Sequence, residues 1–239
     1  MTILSLNDVS KSFGSLKVTD GVTFDVPRGQ ALGIIGPNGA GKSTLFNLIT
    51  GNLMSDAGKI HFDGQDVTRV PAMQRCLDGV GRSFQIPQPF EKLTVFENLV
   101  VAGAFGRDTS EREVTAMCAD VLERTGMIAR SNTPAGQLTL LERKRLELAR
   151  AMATGPRLLL LDEIAGGLTD AECKSLIQTI KDIHAEGVTI IWIEHVLHAL
   201  TSVVERLLVL DFGKVIGIGD PTEIMESREV KEIYLGIEV

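Results

Sequence analysis

Residues 36–44 read Gly36-Pro37-Asn38-Gly39-Ala40-Gly41-Lys42-Ser43-Thr44 and fit the phosphate-loop pattern G-x-x-x-x-G-K-[ST]. The glycines let several backbone N–H groups turn inward, and a helix that begins near Lys42 directs the positive end of its dipole at bound phosphates. Lys42 adds a formal charge on the β- and γ-phosphates, and the Ser43 hydroxyl is suited to bind Mg²⁺. An apolar run at 31–35 and a helical run at 45–49 supply the flanking strand and helix that this loop requires. A Gly-rich turn between two core elements is the plainer interpretation.

The composition fits one large α/β domain, or a core with one inserted subdomain. The chain has 239 residues, of which 44% are apolar. Its 24 basic and 31 acidic residues give a net charge of −7, which disfavours a nucleic-acid partner that needs a broad basic face. Cys76, Cys118 and Cys173 are widely spaced and form no C-x-x-C pair, so we expect free thiols in a reducing compartment.

The N-terminal sequence lacks a basic segment followed by a long apolar one, so it does not resemble a signal peptide. No stretch approaches the roughly 20 apolar residues that a membrane-spanning helix needs. These two features predict a cytoplasmic protein that reaches a membrane only by docking on it.

Strands and helices alternate along most of the chain. Short apolar runs predict strands at 2–9, 22–26, 59–63, 157–161 and 188–193. The segment from about 87 to 150 is helical in character and includes a helix predicted from Glu142 to Ala153. Alternation of this kind implies a parallel sheet covered on both faces, with ligands beyond the carboxyl ends of its strands.

Two capping boxes predict where helices begin. Ser110 with Glu113 opens a helix whose apolar stripe runs from Val114 to Leu122. Thr169 with Glu172 opens a second helix, for which Gly187 is a C-terminal cap.

An acidic pair follows the most apolar of these runs. Asp162 comes after four leucines, so its carboxylate should emerge at the sheet edge and hold Mg²⁺ directly or through water. Glu163, one residue further, is placed to polarise an attacking water. The plainer interpretation is that the two acids only solvate a strand end.

With these motifs, the chain resembles the ATP-binding subunits of ABC transporters over almost its whole length. The resemblance implies that Phe13 stacks on adenine, that Gln85 senses Mg²⁺ and relays to the membrane subunits, and that His195 contacts the γ-phosphate. Read alone, these residues would be a core phenylalanine, an ordinary loop residue and a structural histidine. The implied cofactors are ATP and Mg²⁺.

The implied fold is a P-loop NTPase (RecA-like) α/β core with N-terminal antiparallel strands and an inserted α-helical subdomain. We expect the nucleotide-binding core to comprise residues 1–86 and 151–222. The helical subdomain is expected at 87–150 and a C-terminal tail at 223–239.

The signature sequence of the family, Leu-Ser-Gly-Gly-Gln, is altered here. At its position stands Leu138-Thr139-Leu140-Leu141-Glu142. Thr139 keeps a hydroxyl for the nucleotide of a partner subunit, but the two leucines crowd its approach and Glu142 adds negative charge. Ile164 and the segment 166–169 depart from the family pattern as well.

The chain thus has every residue that acts on its own nucleotide but a weak signature for the nucleotide of a partner. This difference favours a heterodimer with a second ATPase that carries an ordinary signature. A homodimer in which the altered signature still functions is the competing hypothesis. The family also implies integral-membrane permease subunits, an indirect link to a solute-binding protein, and a peripheral location on the cytoplasmic face of the inner membrane.

The segment from Arg82 to Pro87, then Phe90 and the run 93–99, looks like the branched-chain amino acid importer ATPases, as does the ending Ile233-Tyr234-Leu235-Gly236. Urea and amide importers share these features, whereas lipopolysaccharide-export ATPases fit 83–85 less well. Two further functions stay open: a regulatory subunit with little hydrolysis, and an ATPase that serves translation or DNA repair without a permease. The solute is chosen by other subunits, so no residue here identifies it.

Overall fold

The computed structural model describes residues 1–107 and 110–235. The strands are β1 (Thr2–Phe13), β2 (Leu16–Pro27), β3 (Ala31–Ile35), β4 (Ala57–Phe62), β5 (Gln65–Asp66), β6 (Val80–Arg82), β7 (Leu158–Asp162), β8 (Thr189–Ile193), β9 (Arg206–Asp211) and β10 (Lys214–Gly219). The α-helices are α1 (Lys42–Thr50), α2 (Ala72–Leu77), α3 (Val95–Gly106), α4 (Glu111–Arg124), α5 (Leu140–Ala153), α6 (Asp170–Ala185), α7 (Leu197–Thr201), α8 (Pro221–Glu226) and α9 (Arg228–Leu235). Gly236, part of the importer-like ending, lies outside the described residues, as does the end of the expected tail.

The chain forms two compact units. One comprises residues 1–72 and 191–239, and the other comprises residues 73–190. The expected division into a nucleotide-binding core and a helical subdomain has other bounds and stays a prediction.

The first unit contains an antiparallel sheet with strand order β2-β1-β4-β5. β1 and β2 are longer than the predicted strands, since each runs to 12 residues. The outer part of β1, residues 10–12, is polar and lacks the apolar alternation that predicts a strand, but hairpin pairing of Phe13 with Leu16 and of Ser12 with Lys17 extends the ladder there. In the same unit β3 pairs in parallel with β9, which pairs antiparallel with β10.

The second unit combines a parallel strand pair with helices. β6 pairs with β7, whose five residues are all buried as predicted. Both predicted capping boxes are confirmed, because the side chains of Ser110 and Thr169 each accept a hydrogen bond from the backbone three residues on. Gly187 follows the end of α6 with φ of +93°, a conformation that favours glycine.

Helix α5 begins at Leu140, two residues before its predicted start. The prediction was wrong here because Thr139 with Glu142 forms a further capping box, which fixes the first turn. Among the described residues, no helix is both long and apolar enough to cross a bilayer.

Candidate nucleotide site

The phosphate loop, residues 36–41, connects β3 to α1 in the first unit, and two of its glycines are sterically required. A Cβ on Gly36 would overlap the carbonyl oxygen of Leu210. Gly41 has φ of +100°, and a Cβ there would lie 2.5 Å from the carbonyl oxygen of Val18. Glycine is therefore required at positions 36 and 41 because the loop backbone packs closely against the backbone of Leu210 and Val18, whether or not phosphate is bound.

Lys42 is the first residue of α1 and is only 6% exposed. Its Nζ donates hydrogen bonds to the carbonyl oxygens of Gly36 at 2.7 Å and Pro37 at 3.0 Å. Ser43 beside it is exposed, and so are Asn38 and Gly39 at the loop tip. The loop thus holds a buried ammonium group at a helix N-terminus, which is a suitable electrostatic setting for phosphate.

The other candidate residues of the first unit are exposed. Phe13 ends β1 with 49% of its surface exposed, and the Nζ of Lys11 lies 5.8 Å from its ring centroid. This exposure contradicts the interpretation of Phe13 as a core phenylalanine. His195, also exposed, follows β8, and its backbone N–H donates to Glu194 Oε2 at 3.2 Å.

The acidic pair lies in the second unit at the end of β7. Asp162 is 5% exposed, and its Oδ2 accepts a hydrogen bond from Arg82 Nη2 at 2.7 Å. Glu163 has a left-handed backbone with φ of +46°, and its carbonyl oxygen accepts from Lys144 Nζ at 3.1 Å. Its Oε2 accepts from Gln85 Nε2 at 2.5 Å. The segment 82–85 therefore contacts both acids, and Gln85 and Glu163 are brought together.

Side chains of the altered signature, residues 138–142, form hydrogen bonds with the backbone of the same segment. Thr139 Oγ1 accepts from the backbone N–H of Glu142 at 3.3 Å, and Glu142 Oε2 accepts from the N–H of Thr139 at 2.9 Å. Arg130 Nε donates to Glu142 Oε1 at 2.7 Å. The hydrogen bond from Thr139, and secondarily the guanidinium of Arg130, lower the pKa of Glu142, so its carboxylate is charged at neutral pH.

Two departures from the family pattern touch each other. Leu140 is 47% exposed, and its Cδ2 lies 3.4 Å from the position that a Cβ on Gly167 would take. Gly167 has φ of +78°. The Leu140 side chain thus covers the backbone of Gly167, which has no side chain.

A comparison with protein families decides which family the chain belongs to. The family model described as "ABC transporter" matches residues 19–166, more than half of the chain. The chain belongs to the ABC transporter family.

Relatives of this ABC transporter subunit cover its full length. The high-affinity branched-chain amino acid transport ATP-binding protein BraF of Pseudomonas aeruginosa is 35% identical, over 98% of this chain and 98% of that protein. The lipopolysaccharide export system ATP-binding protein LptB of Haemophilus influenzae is 32% identical, over 99% and 98%. A crystal structure of an ABC transporter cassette in its ADP conformation superposes with a TM-score of 0.90, at 31% identity over 99% of this chain and 100% of that one.

The comparisons confirm the predicted fold class and family. The chain is an ATP-binding subunit of an ABC transporter and an ATPase. ATPases of this family form dimers and work with membrane permease subunits. The roles of individual site residues stay predictions.

The predicted metal ligands of this ABC transporter subunit suit Mg²⁺ by their chemistry. Ser43, Gln85 and Asp162 offer a hydroxyl, an amide oxygen and a carboxylate, which are the oxygen ligands of a hard cation. In residues 1–107 and 110–235 no cluster of three or more His, Cys, Asp or Glu side chains could hold a metal. A single carboxylate assisted by nucleotide phosphates fits Mg²⁺, which keeps few protein ligands.

Sequence reasoning missed three residues around the candidate site. Arg82, Lys144 and Arg130 contact Asp162, Glu163 and Glu142 respectively. Only the pairing of β6 with β7 reveals the first contact, and only the packing of α5 reveals the second. The sequence pattern carries no signal for either.

Proposed function

We propose that this chain binds ATP with Mg²⁺ and powers the uptake of a small polar solute, a branched-chain or other amino acid. The observation that carries the proposal is the 35% identity to BraF over 98% of both chains. The segment 82–99, which resembles the importer ATPases, agrees with it. Residues of this chain would act from the cytoplasmic face of the inner membrane, with a solute-binding protein linked only through the permease.

Each candidate residue has a distinct role in this proposal. The phosphate loop and the first turn of α1, from Gly36 to Thr44, hold the triphosphate, and Phe13 stacks on adenine. Asp162, with Ser43 and Gln85, holds Mg²⁺, which neutralises charge on the phosphates.

Hydrolysis is assigned to two further side chains. The Glu163 carboxylate orients the attacking water and accepts its proton, and His195 contacts the γ-phosphate. The amide of Gln85, which donates to Glu163 Oε2, fixes the orientation of that carboxylate.

The surface next to Gln85 is suited to receive a cytoplasmic helix of the permease. Phe84, Ile86 and Phe90 are 49%, 69% and 50% exposed, an unusual density of large apolar side chains for one short loop. Arg150 lies over the Phe90 ring at 5.6 Å. An amphipathic helix would cover these side chains with its apolar face.

The partner ATPase that we favour is a different chain. In this chain the N–H groups of Thr139 and Glu142 are already paired within the capping box, and the charged Glu142 would repel a phosphate. The exposed Leu140 adds bulk at the same end of α5. A partner with an ordinary signature would complete the site that holds this chain's nucleotide.

Mass spectrometry of what co-purifies with the tagged chain from gently solubilised native membranes tests the proposal. We expect two polytopic proteins and a second ATPase with an intact Leu-Ser-Gly-Gly-Gln. Recovery of this ATPase alone with permease subunits would replace the heterodimer by a homodimer. Recovery of soluble partners alone would contradict the transport role.

Lipopolysaccharide export is the second candidate, because LptB is 32% identical over almost all of both chains. The same experiment separates the two, since the co-purified membrane proteins would belong to an export complex. ATP turnover by the assembled complex separates either role from a regulatory subunit with little hydrolysis.

A further inference from the structure

Arg82 and Asp162 form an ion pair that is almost fully enclosed in the second unit. Their side chains are 9% and 7% exposed, and Arg82 Nη2 lies 2.7 Å from Asp162 Oδ2. The pairing of β6 and β7 explains the contact: Arg82 is in register with Leu160, and Asp162, two residues on, projects from the same face of the sheet.

The guanidinium is also fixed from a second side. It lies 4.9 Å from the centroid of the Phe84 ring, a distance at which a cation is attracted to the ring face. Because Phe84 is half exposed, this stacking connects the buried pair to the surface at which we propose that the permease docks.

A buried carboxylate requires a counter-charge, and here Arg82 supplies it. A divalent cation bound to the same carboxylate would stand within a few ångströms of the guanidinium. Two positive charges at that distance repel each other strongly where water is excluded. Arg82 and a metal ion therefore compete for Asp162.

We propose that Arg82 is a positioning residue that acts as an internal substitute for the metal at Asp162. It holds the carboxylate in a fixed orientation, and a divalent ion must displace it from Asp162 in order to bind, so Arg82 sets the affinity for that ion. The inference rests on the proposed role of Asp162 as a metal ligand. Because Arg82 stacks on Phe84, docking of the permease on Phe84 would move Arg82 and so change the affinity of Asp162 for the divalent ion.

Electron paramagnetic resonance of Mn²⁺, titrated into the full-length chain with a non-hydrolysable ATP analogue, tests this without measuring turnover. Removing the competing charge with R82M should lower the Mn²⁺ dissociation constant by about tenfold. R124M is the matched control, since Arg124, the last residue of α4, is an arginine of the same unit that likewise pairs with an acid, Glu186. Its Mn²⁺ affinity should equal that of the wild type. Unchanged or weaker Mn²⁺ binding by R82M would overturn the proposal.

R82M leaves a buried carboxylate without its counter-charge, which destabilises the fold, so a milder variant accompanies it. R82K keeps a cation but loses the planar fork, so it should compete less and bind Mn²⁺ about threefold more tightly than the wild type. Unchanged or weaker binding by R82K would overturn the proposal in the same way.

D162N separates this inference from the proposed site. If D162N loses Mn²⁺ binding but the Arg82 variants bind Mn²⁺ no more tightly than the wild type, Asp162 is a metal ligand and only the competition between Arg82 and the metal is rejected. Wild-type Mn²⁺ binding by D162N would reject Asp162 as a ligand, and the inference with it.

Discussion

At the scale of single residues, Glu163 combines an uncommon backbone with hydrogen bonds to Gln85 and Lys144. Glu163→Gln keeps the shape of the side chain but removes its ability to accept a proton. We expect ATP affinity to be retained, ATP turnover to fall by about 10²- to 10⁴-fold, and a closed dimer to accumulate with ATP. Steady-state hydrolysis and size-exclusion chromatography measure both effects. An unchanged rate would mean that Glu163 is not the base.

The role that we propose for Lys42 is different, and substitution should reveal it in ATP binding rather than in turnover. Lys42→Ala removes the buried ammonium that the loop carbonyls hold, so ATP affinity should fall by about 10- to 100-fold. Calorimetric titration measures this, with the exposed Lys174→Ala as a control of equal charge change. Unchanged ATP binding would count against the phosphate-loop assignment.

Gly36 should be required for folding as well as for phosphate. A Cβ at Gly36 would meet the carbonyl oxygen of Leu210, which belongs to the backbone and cannot move aside. Gly36→Ala should therefore lower the free energy of unfolding by about 1–3 kcal/mol or more. Gly39→Ala is the control: its Cβ meets no atom within 4 Å, and only its φ of +85° opposes the change. Urea unfolding of both variants should show the larger loss for Gly36.

At the scale of elements, the first turn of α5 depends on a charged carboxylate. The pKa of Glu142 is lower in the folded chain than in the unfolded one, so its contribution to stability is full above pH of about 4.3 and is lost as pH falls through the folded value. Glu142→Gln keeps a capping acceptor but loses the charge. We expect it to cost about 0.5–1 kcal/mol at pH 7.

The difference between wild type and Glu142→Gln should shrink as the pH is lowered from 6 to 3. Denaturant unfolding across that range measures it. Glu123→Gln, an exposed change near the end of α4, serves as the control. A difference that stays constant with pH would show that the Glu142 charge does not stabilise the cap.

The elements that the sequence predicts are those whose signal is local. Three such elements are confirmed: the capping boxes at Ser110 and Thr169 and the buried strand that ends at Asp162. Each depends on residues within a few positions of one another in the sequence. The hairpin ends of β1 and β2 and the Arg82–Asp162 pair depend on strand register. The sequence of one segment does not show which residues of another strand it will pair with.

At the scale of the whole molecule, the thiols should report global unfolding. Burial raises the pKa of Cys118 to about 11 and also raises that of Cys76, while Cys173 is 4% exposed. A raised pKa and burial both suppress the reactive thiolate. We expect the three thiols of the chain to react with Ellman's reagent at pH 7.5 at least about 100-fold more slowly than in urea. Fast reaction of one thiol in buffer would reveal local opening instead.

The family could be predicted from the whole sequence, and the specific partner could not. The phosphate loop and the acidic pair at Asp162 are tied to nucleotide chemistry, whose demands on residue type are strict. Partner choice depends on surface shape. Only the structure shows that Leu140 lies over Gly167 and that Arg130 holds Glu142.

The left-handed backbone of Glu163 has a consequence for laboratory evolution. A side chain in that conformation costs about 1–2 kcal/mol relative to glycine. Selection of variants for heat resistance alone should therefore enrich Glu163→Gly, which relaxes the backbone and deletes the proposed base. The most heat-resistant descendants of this chain would then be inactive, so a screen for robust transporters must select for growth on the solute from the first round.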